Sequence, residues 1–239
     1  MPYNFETNSF YELDYTKLFH DINKISFMNN PIHQSAYIMK WICELKHYDE
    51  LVRKQTDTPE KIRELTHKKL YHGELENFQL PIHFDSCSIF LHFRVSCVHQ
   101  LFSYHPPKKD DKQHIDISLF TEPSNILWTP TDTNLINMDK INEPIIIIPF
   151  FMNKYNSLVI DGNHRLTYKI NNESNDIFAY VLSEQSVIDF KLCASDFDLA
   201  FYIMLNEINH INSAIKNNEQ LISIINKSFL AEGKYKFGH

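Results

Sequence analysis

The chain has 239 residues, 43% of them apolar and 13% aromatic, which is enough to bury a core in one large domain or two closely packed ones and excludes disorder throughout. A formal charge of -7 excludes a protein that grips long nucleic acid by its bulk positive field, and Lys108-Lys109 followed by Asp110-Asp111-Lys112 cancels itself as a solvated loop. Apolar runs such as Pro144 to Met152 fall far short of the roughly 20 residues that span a bilayer, and Met1-Pro2-Tyr3-Asn4 has no signal-peptide pattern, so the sequence predicts a soluble, cytoplasmic protein without membrane contact.

The first third reads as mainly helical. Tyr37, Trp41, Leu45, Tyr48 and Val52 recur at spacings of three and four, which predicts a helix from about Gln34 to Arg53 with one apolar stripe. Thr58-Pro59-Glu60 supplies a cap, a proline for the first helical position and an acid in the first turn of a second helix, which Gly73 can close. From Ile89 to Val98 the period changes to two: Ile89, Leu91, Phe93, Val95 and Cys97 share one face, and Phe90, His92, Arg94 and Ser96 the other, as in a strand with one buried side. A proline-rich loop near Tyr104 to Lys112 leads to a short strand, Ile115 to Phe120, and a turn-rich passage through Pro123, Trp128 and Pro130.

Pro144 to Phe151 then reads as a strand, Asn153-Lys154-Tyr155-Asn156 as a turn and Ser157 to Ile160 as a second strand. Leu166, Tyr168 and Ile170 begin a helix that Asn171-Asn172 ends, and Ile177 to Leu182 is another strand. In the tail, Asp196 is the expected cap of a helix lined by Phe201, Met204 or Leu205, Ile208, Ile211 and Ile215. Leu221, Ile224, Ile225 and Phe229 form a second stripe. The predicted class is α+β: a mainly helical region over residues 1–112 with a strand near 89–98, a core over 113–188, and C-terminal helices over 189–239 packed on that core. Cys43, Cys87, Cys97 and Cys193 form no CxxC pair and are expected as free thiols.

The second core strand runs directly into Asp161-Gly162-Asn163-His164-Arg165, and Gly162 is one of only four glycines in the chain. A glycine at a strand-to-helix junction can take a positive φ, and the unpaired N–H groups of the next helical turn form an anion site. Arg165 adds a planar guanidinium suited to phosphate oxygens, and His164 can donate, accept or relay a proton near neutral pH. Asp161 can hold a divalent cation, take a proton from a substrate hydroxyl or cap the turn. An ordinary turn with His164 and Arg165 on a solvated helix face is the alternative reading of the same residues.

At these residues the chain resembles the ParB and sulfiredoxin superfamily, whose core has a strand, a second strand ending in a Gly-x-x-Arg turn, and a helix. The resemblance runs from about Ile126 to Ser183, roughly a quarter of the chain. It implies a ParB/sulfiredoxin-like core with N-terminal and C-terminal helical additions, and nucleotide phosphates bound by Gly162, Asn163, His164 and Arg165. ATP, ADP and CTP all fit as the cofactor, with Mg²⁺ on Asp161, and Asp161, His164 and Arg165 are the catalytic candidates for NTP hydrolysis or phosphoryl transfer. Asn163 stands where sulfiredoxins place a cysteine, which argues against a thiol relay. His164 stands where chromosome-partitioning ParB proteins have a second arginine, and no DNA-reading helix follows. The DGxHR form is nearer the serine kinase branch and DNA-modification-associated relatives. Two rival readings stand beside this one: a non-catalytic interaction protein, mobile-element or defence-related, that holds a protein partner through its helical additions, and a metal-dependent nuclease using Asp161.

Elsewhere, His83, Asp85, Cys87, His92, Cys97 and His99 are dense enough to raise a metal site, but no pair has zinc-ribbon or HExxH spacing. No GxSxG elbow supports a serine nucleophile. Glu143 and Asp139, just ahead of the first core strand, are candidates for a second carboxylate.

Overall fold

The computed structural model describes residues 2–7, 9–58, 60–61, 76–108, 111–121, 123–132, 138–172 and 176–237. Through these the chain forms β1 (Tyr3–Asn4), β2 (Ser9–Phe10), α1 (Tyr15–Asn23), α2 (Pro31–Gln55), β3 (Asn77–His83), β4 (Ser88–Arg94), α3 (Val95–Tyr104), β5 (Lys112–Asp116) and β6 (Ile126–Leu127). It continues through β7 (Ile145–Met152), β8 (Tyr155–Asp161), α4 (Asn163–Asn171), β9 (Asp176–Val181), α5 (Glu184–Asp189), α6 (Asp196–Lys216), α7 (Leu221–Ile225) and α8 (Phe229–Glu232). The fold is mixed α+β, as the sequence predicts. The second predicted helix, from Pro59 towards Gly73, lies outside the described residues. Among the described residues no helix is long and apolar enough to cross a membrane, and none of the four cysteines forms a disulfide.

The chain divides into two compact units, Met1–Ser96 with Lys191–His239, and Cys97–Phe190. The sequence places its divisions near 112 and 188. The C-terminal helices, expected on the core, cluster instead with the N-terminal segment.

In the first unit α2 starts three residues earlier than the apolar stripe indicates. The Asn30 side chain accepts hydrogen bonds from the N–H groups of Ile32 and His33, and Pro31 holds the first helical position. Its buried face, Tyr37, Ile38, Trp41, Ile42, Leu45 and Val52, packs on α6. Ser195, not Asp196, caps α6: its hydroxyl accepts from Asp198 N at 3.2 Å, and Asp196 is the first helical residue. This helix is buried on almost every side from Phe197 to Ile208, and so must satisfy Asp198, Asn206 and Glu207 internally. Glu207 Oε2 accepts from Tyr37 Oη at 2.5 Å and Ser228 Oγ at 2.7 Å, and Oε1 accepts from Phe229 N at 2.6 Å. One carboxylate thus ties α2, α6 and the start of α8, after which Gly233, at φ +68°, closes that helix by donating to Phe229 O at 2.7 Å.

β3 and β4 form an antiparallel hairpin. The alternation expected to reach Val98 stops at Arg94, where Arg94 N donates to Leu192 O at 2.7 Å and the chain turns into α3. Val95, Val98 and Phe102 also fit a helical stripe, so this stretch satisfies both periods and the helical one wins. His92 does not face solvent. It is fully buried, its imidazole between Asp198 Oδ1 at 3.2 Å and Gln79 Oε1 at 3.0 Å with Phe5 packed on the ring.

The second unit holds a five-stranded sheet in the order β5-β9-β7-β8-β6. β7 and β8 pair as an antiparallel hairpin, β9 lies parallel to β7, and α4 makes the connection from β8 to β9. Ile145, Ile147, Val159, Ile177 and Ala179 share one face, which Leu166 and Ile170 of α4 cover together with Phe120 and Trp128. Ile146, Ile148, Leu158 and Ile160 are buried too, so the central strands carry apolar residues on both sides. Phe102 of α3 meets Tyr180 of β9 edge to face at 4.9 Å. The strand predicted over Ile115 to Phe120 lies earlier: β5 starts at Lys112 and ends at Asp116, whose side chain caps a 3-10 turn over Ile117–Phe120.

Candidate functional site

The apolar side chains of β8 fix its register, and its last residue, Asp161, is carried inside with them at 8% exposure. The chain must then reverse from strand to helix in one residue. Gly162 does so at φ +91°, ψ +15°. A methyl group there would lie 2.4 Å from Ile145 Cγ2 and 2.9 Å from the Arg165 guanidinium, so both conformation and space require glycine. As the N-cap of α4, Gly162 leaves the helix with no side-chain cap, whereas α1, α2, α5 and α6 are capped by Asp14, Asn30, Ser183 and Ser195. Leu166 N donates to Gly162 O at 2.9 Å, and the preceding amides of the first turn fall outside the intrahelical ladder.

Arg165 turns inward, with its side chain 13% exposed. One terminal nitrogen donates to Asp161 Oδ2 at 3.0 Å and to Pro144 O at 3.1 Å, while Nε is buried without a hydrogen-bond partner among the described residues. The alternative of a solvated Arg165 therefore does not hold: this guanidinium braces the turn against the start of β7. Asn163 is likewise inward. Its Oδ1 accepts from Thr129 N at 2.9 Å and its amide donates to Val159 O at 3.3 Å. With Thr167 Oγ1, which accepts from Thr131 N at 3.1 Å, it clips the 129–131 segment along α4. Of the five residues only His164 is exposed, with Nδ1 3.2 Å from Asp132 O.

A residue outside the turn joins it. His99 of α3 places Nε2 3.1 Å from Asp161 Oδ2, the oxygen that also receives Arg165. Burial pushes the Asp161 carboxyl up, but the His99 hydrogen bond and the Arg165 charge outweigh it and hold the carboxyl below the usual aspartate range. Asp161 is thus a buried anion with two N–H donors on one oxygen. Sequence reading places His99 only in a scattered metal set. The pairing spans 62 residues between positions 99 and 161, and no spacing rule reaches that far.

The donor set does not fit the Mg²⁺ that the resemblance implies on Asp161. Among the described residues no three His, Cys, Asp or Glu side chains gather as metal ligands, and Asp161 presents its shared oxygen to cationic or N–H groups. Glu143 and Asp139 are exposed ahead of β7. In the scattered metal set, His83 binds the Ser88 hydroxyl at 2.8 Å, Asp85 pairs with Lys24 at 2.6 Å and His92 is held by Asp198. No protein-family model, no curated protein and no solved structure matches the chain.

Proposed function

We propose that this protein binds a nucleoside phosphate at the N-terminal end of α4, with the first-turn N–H groups meeting phosphate oxygens and His164 beside them. The observation that carries this reading is the open helix terminus: a nine-residue helix entered through a left-handed glycine with no side-chain cap, on a buried strand, with an exposed histidine in its first turn. The resemblance supports it, because the ParB and sulfiredoxin superfamily binds nucleotide phosphates with a glycine turn and an arginine. ATP, ADP and CTP are the candidate ligands, and NTP hydrolysis or phosphoryl transfer the candidate reactions. Arg165 serves here by shaping the turn and Asp161 by fixing Arg165, so neither reaches for the ligand. Any Mg²⁺ belongs to the nucleotide.

Arg165 is a poor position for the test, since its removal would strand the Asp161 carboxylate and Pro144 O. His164→Glu is better: the side chain is exposed, and a carboxylate there repels phosphate. With saturating ATP, ADP, CTP or GTP, with and without Mg²⁺, one nucleotide is expected to raise the melting temperature of the wild type by roughly 5–10 °C. His164→Glu is expected to lose that rise while melting within about 2 °C of the unliganded wild type. No rise with any nucleotide would contradict the reading and favour the interaction protein.

A further inference from the structure

We infer that α2 pairs antiparallel with α2 of a second copy of this chain, through an apolar seam on its solvent side. The helix is apolar along two faces. One is the buried face that packs on α6. The other is Ile32, Ala36, Met39 and Cys43, at spacings of four, three and four, and all of these are exposed. Ile32, at 77%, is the most exposed large apolar side chain among the described residues, and Met39 is 47% exposed. A helix that only covers its own core carries polar residues on this side. The spacing is instead the alternation by which two helices interlock their side chains, sustained over three turns of a 25-residue helix.

The seam itself selects the occupant. Laid antiparallel about a two-fold axis at the level of Tyr37 and Ile38, it maps onto itself: Ile32 meets Cys43 and Ala36 meets Met39, each pair formed twice. A large side chain faces a small one at every step, the condition for close packing. A parallel pair would set Ile32 on Ile32 and leave a gap between two Ala36 methyl groups. Antiparallel helices also place the positive end of each dipole beside the negative end of the other. The same register brings the exposed His47 of each copy opposite Met28 and Asn29 of the other. Those two residues line a surface cavity of about 270 Å³ together with Ile215, Leu221 and Glu219, whose carboxylate also pairs with Lys227 at 3.3 Å. Each end of the contact therefore sets an imidazole towards an acid. Four seam residues and these two ends fall short of the roughly 20–30 residues a side of a standard interface, so the pair is weak and concentration-dependent.

Sedimentation velocity reads the association, and disulfide cross-linking reads the register. The wild type is expected to pass from one chain towards two as its concentration rises from about 1 to 300 µM. Met39→Glu is expected to stay a single chain over that range while melting within about 2 °C of the wild type. Ile32 and Cys43 of one helix lie about 16 Å apart, beyond the roughly 7 Å that a disulfide can bridge. On oxidation, Ile32→Cys can therefore join its new thiol to Cys43 only between copies. That cross-link, located by peptide mass, is expected in Ile32→Cys and is expected to vanish when Cys43→Ser is added. A wild type that remains a single chain throughout, or a dimer that Met39→Glu leaves intact, would overturn the inference. So would an Ile32→Cys dimer without this cross-link, or a wild-type cross-link from Cys43 to Cys43, which belongs to the parallel pair.

Discussion

Replacing Glu207 with alanine is expected to cost about 3–4 kcal/mol of folding stability, read as the shift in urea unfolding midpoint at constant slope. The carboxylate accepts from the Tyr37 hydroxyl, the Ser228 hydroxyl and Phe229 N, and Glu207 and Ser228 are fully buried. Alanine leaves Phe229 N without its acceptor and the buried Tyr37 and Ser228 hydroxyls with only each other, 3.2 Å apart. Glu207→Gln keeps one carbonyl oxygen and is expected to cost about 1–2 kcal/mol. The pH dependence separates the two roles of the group. Burial pushes the Glu207 carboxyl above the usual glutamate value, and the hydrogen bonds from Tyr37, Phe229 and Ser228 pull it only part of the way back. The folded state therefore binds this proton more tightly than the unfolded chain does. Stability from this group is full below the unfolded glutamate pKa and falls as pH rises through the raised folded value. Glu207→Gln is expected to flatten that part of the profile. An alanine variant within about 1 kcal/mol of wild type would show that the carboxylate does not join these elements.

Gly162→Ala is expected to cost about 2–4 kcal/mol, the sum of a left-handed backbone for a residue with a Cβ and an overpacked contact. The contact is severe because Ile145 Cγ2, 2.4 Å from the added carbon, belongs to the central strand of the sheet and cannot withdraw without opening the core beneath α4. The second neighbour is the Arg165 guanidinium at 2.9 Å, so relief in that direction would pull Arg165 from Asp161. Urea unfolding of the variant gives the first number. Wild-type stability would contradict the turn geometry.

The hairpin of β7 and β8, the glycine turn, α4 and β9 were legible in the sequence because each signal is local: a β-branched run, an Asn-Lys turn, a glycine at a junction and a short apolar period. The start of α2 is also written locally, in Asn30-Pro31, but it lies about one and a half to two turns ahead of the apolar stripe that begins at Tyr37. At Arg94 the sequence is ambiguous in itself, since Val95 and Val98 serve a strand or a helix equally. The remaining misreadings are long-range. His92 looks like an outward polar residue until Asp198, 106 positions away, supplies its partner, and Glu207 meets Tyr37 across 170. Arg165 reads as a free phosphate ligand because nothing in a pentapeptide shows that Pro144 O and a buried Asp161 will meet it. For the same reason His99 was visible as a chemical type and not as a member of the site.

The proposed function places phosphate oxygens at the first-turn amides of α4. We would test it most directly by following backbone amide resonances of the ¹⁵N-labelled protein during titration with ATP and with CTP. Saturable shifts are expected at the amides of Gly162, Asn163, His164 and Arg165, with smaller effects at His99, and their loss in His164→Glu. Unmoved amides at Gly162 to Arg165, with or without shifts elsewhere in the chain, would contradict it.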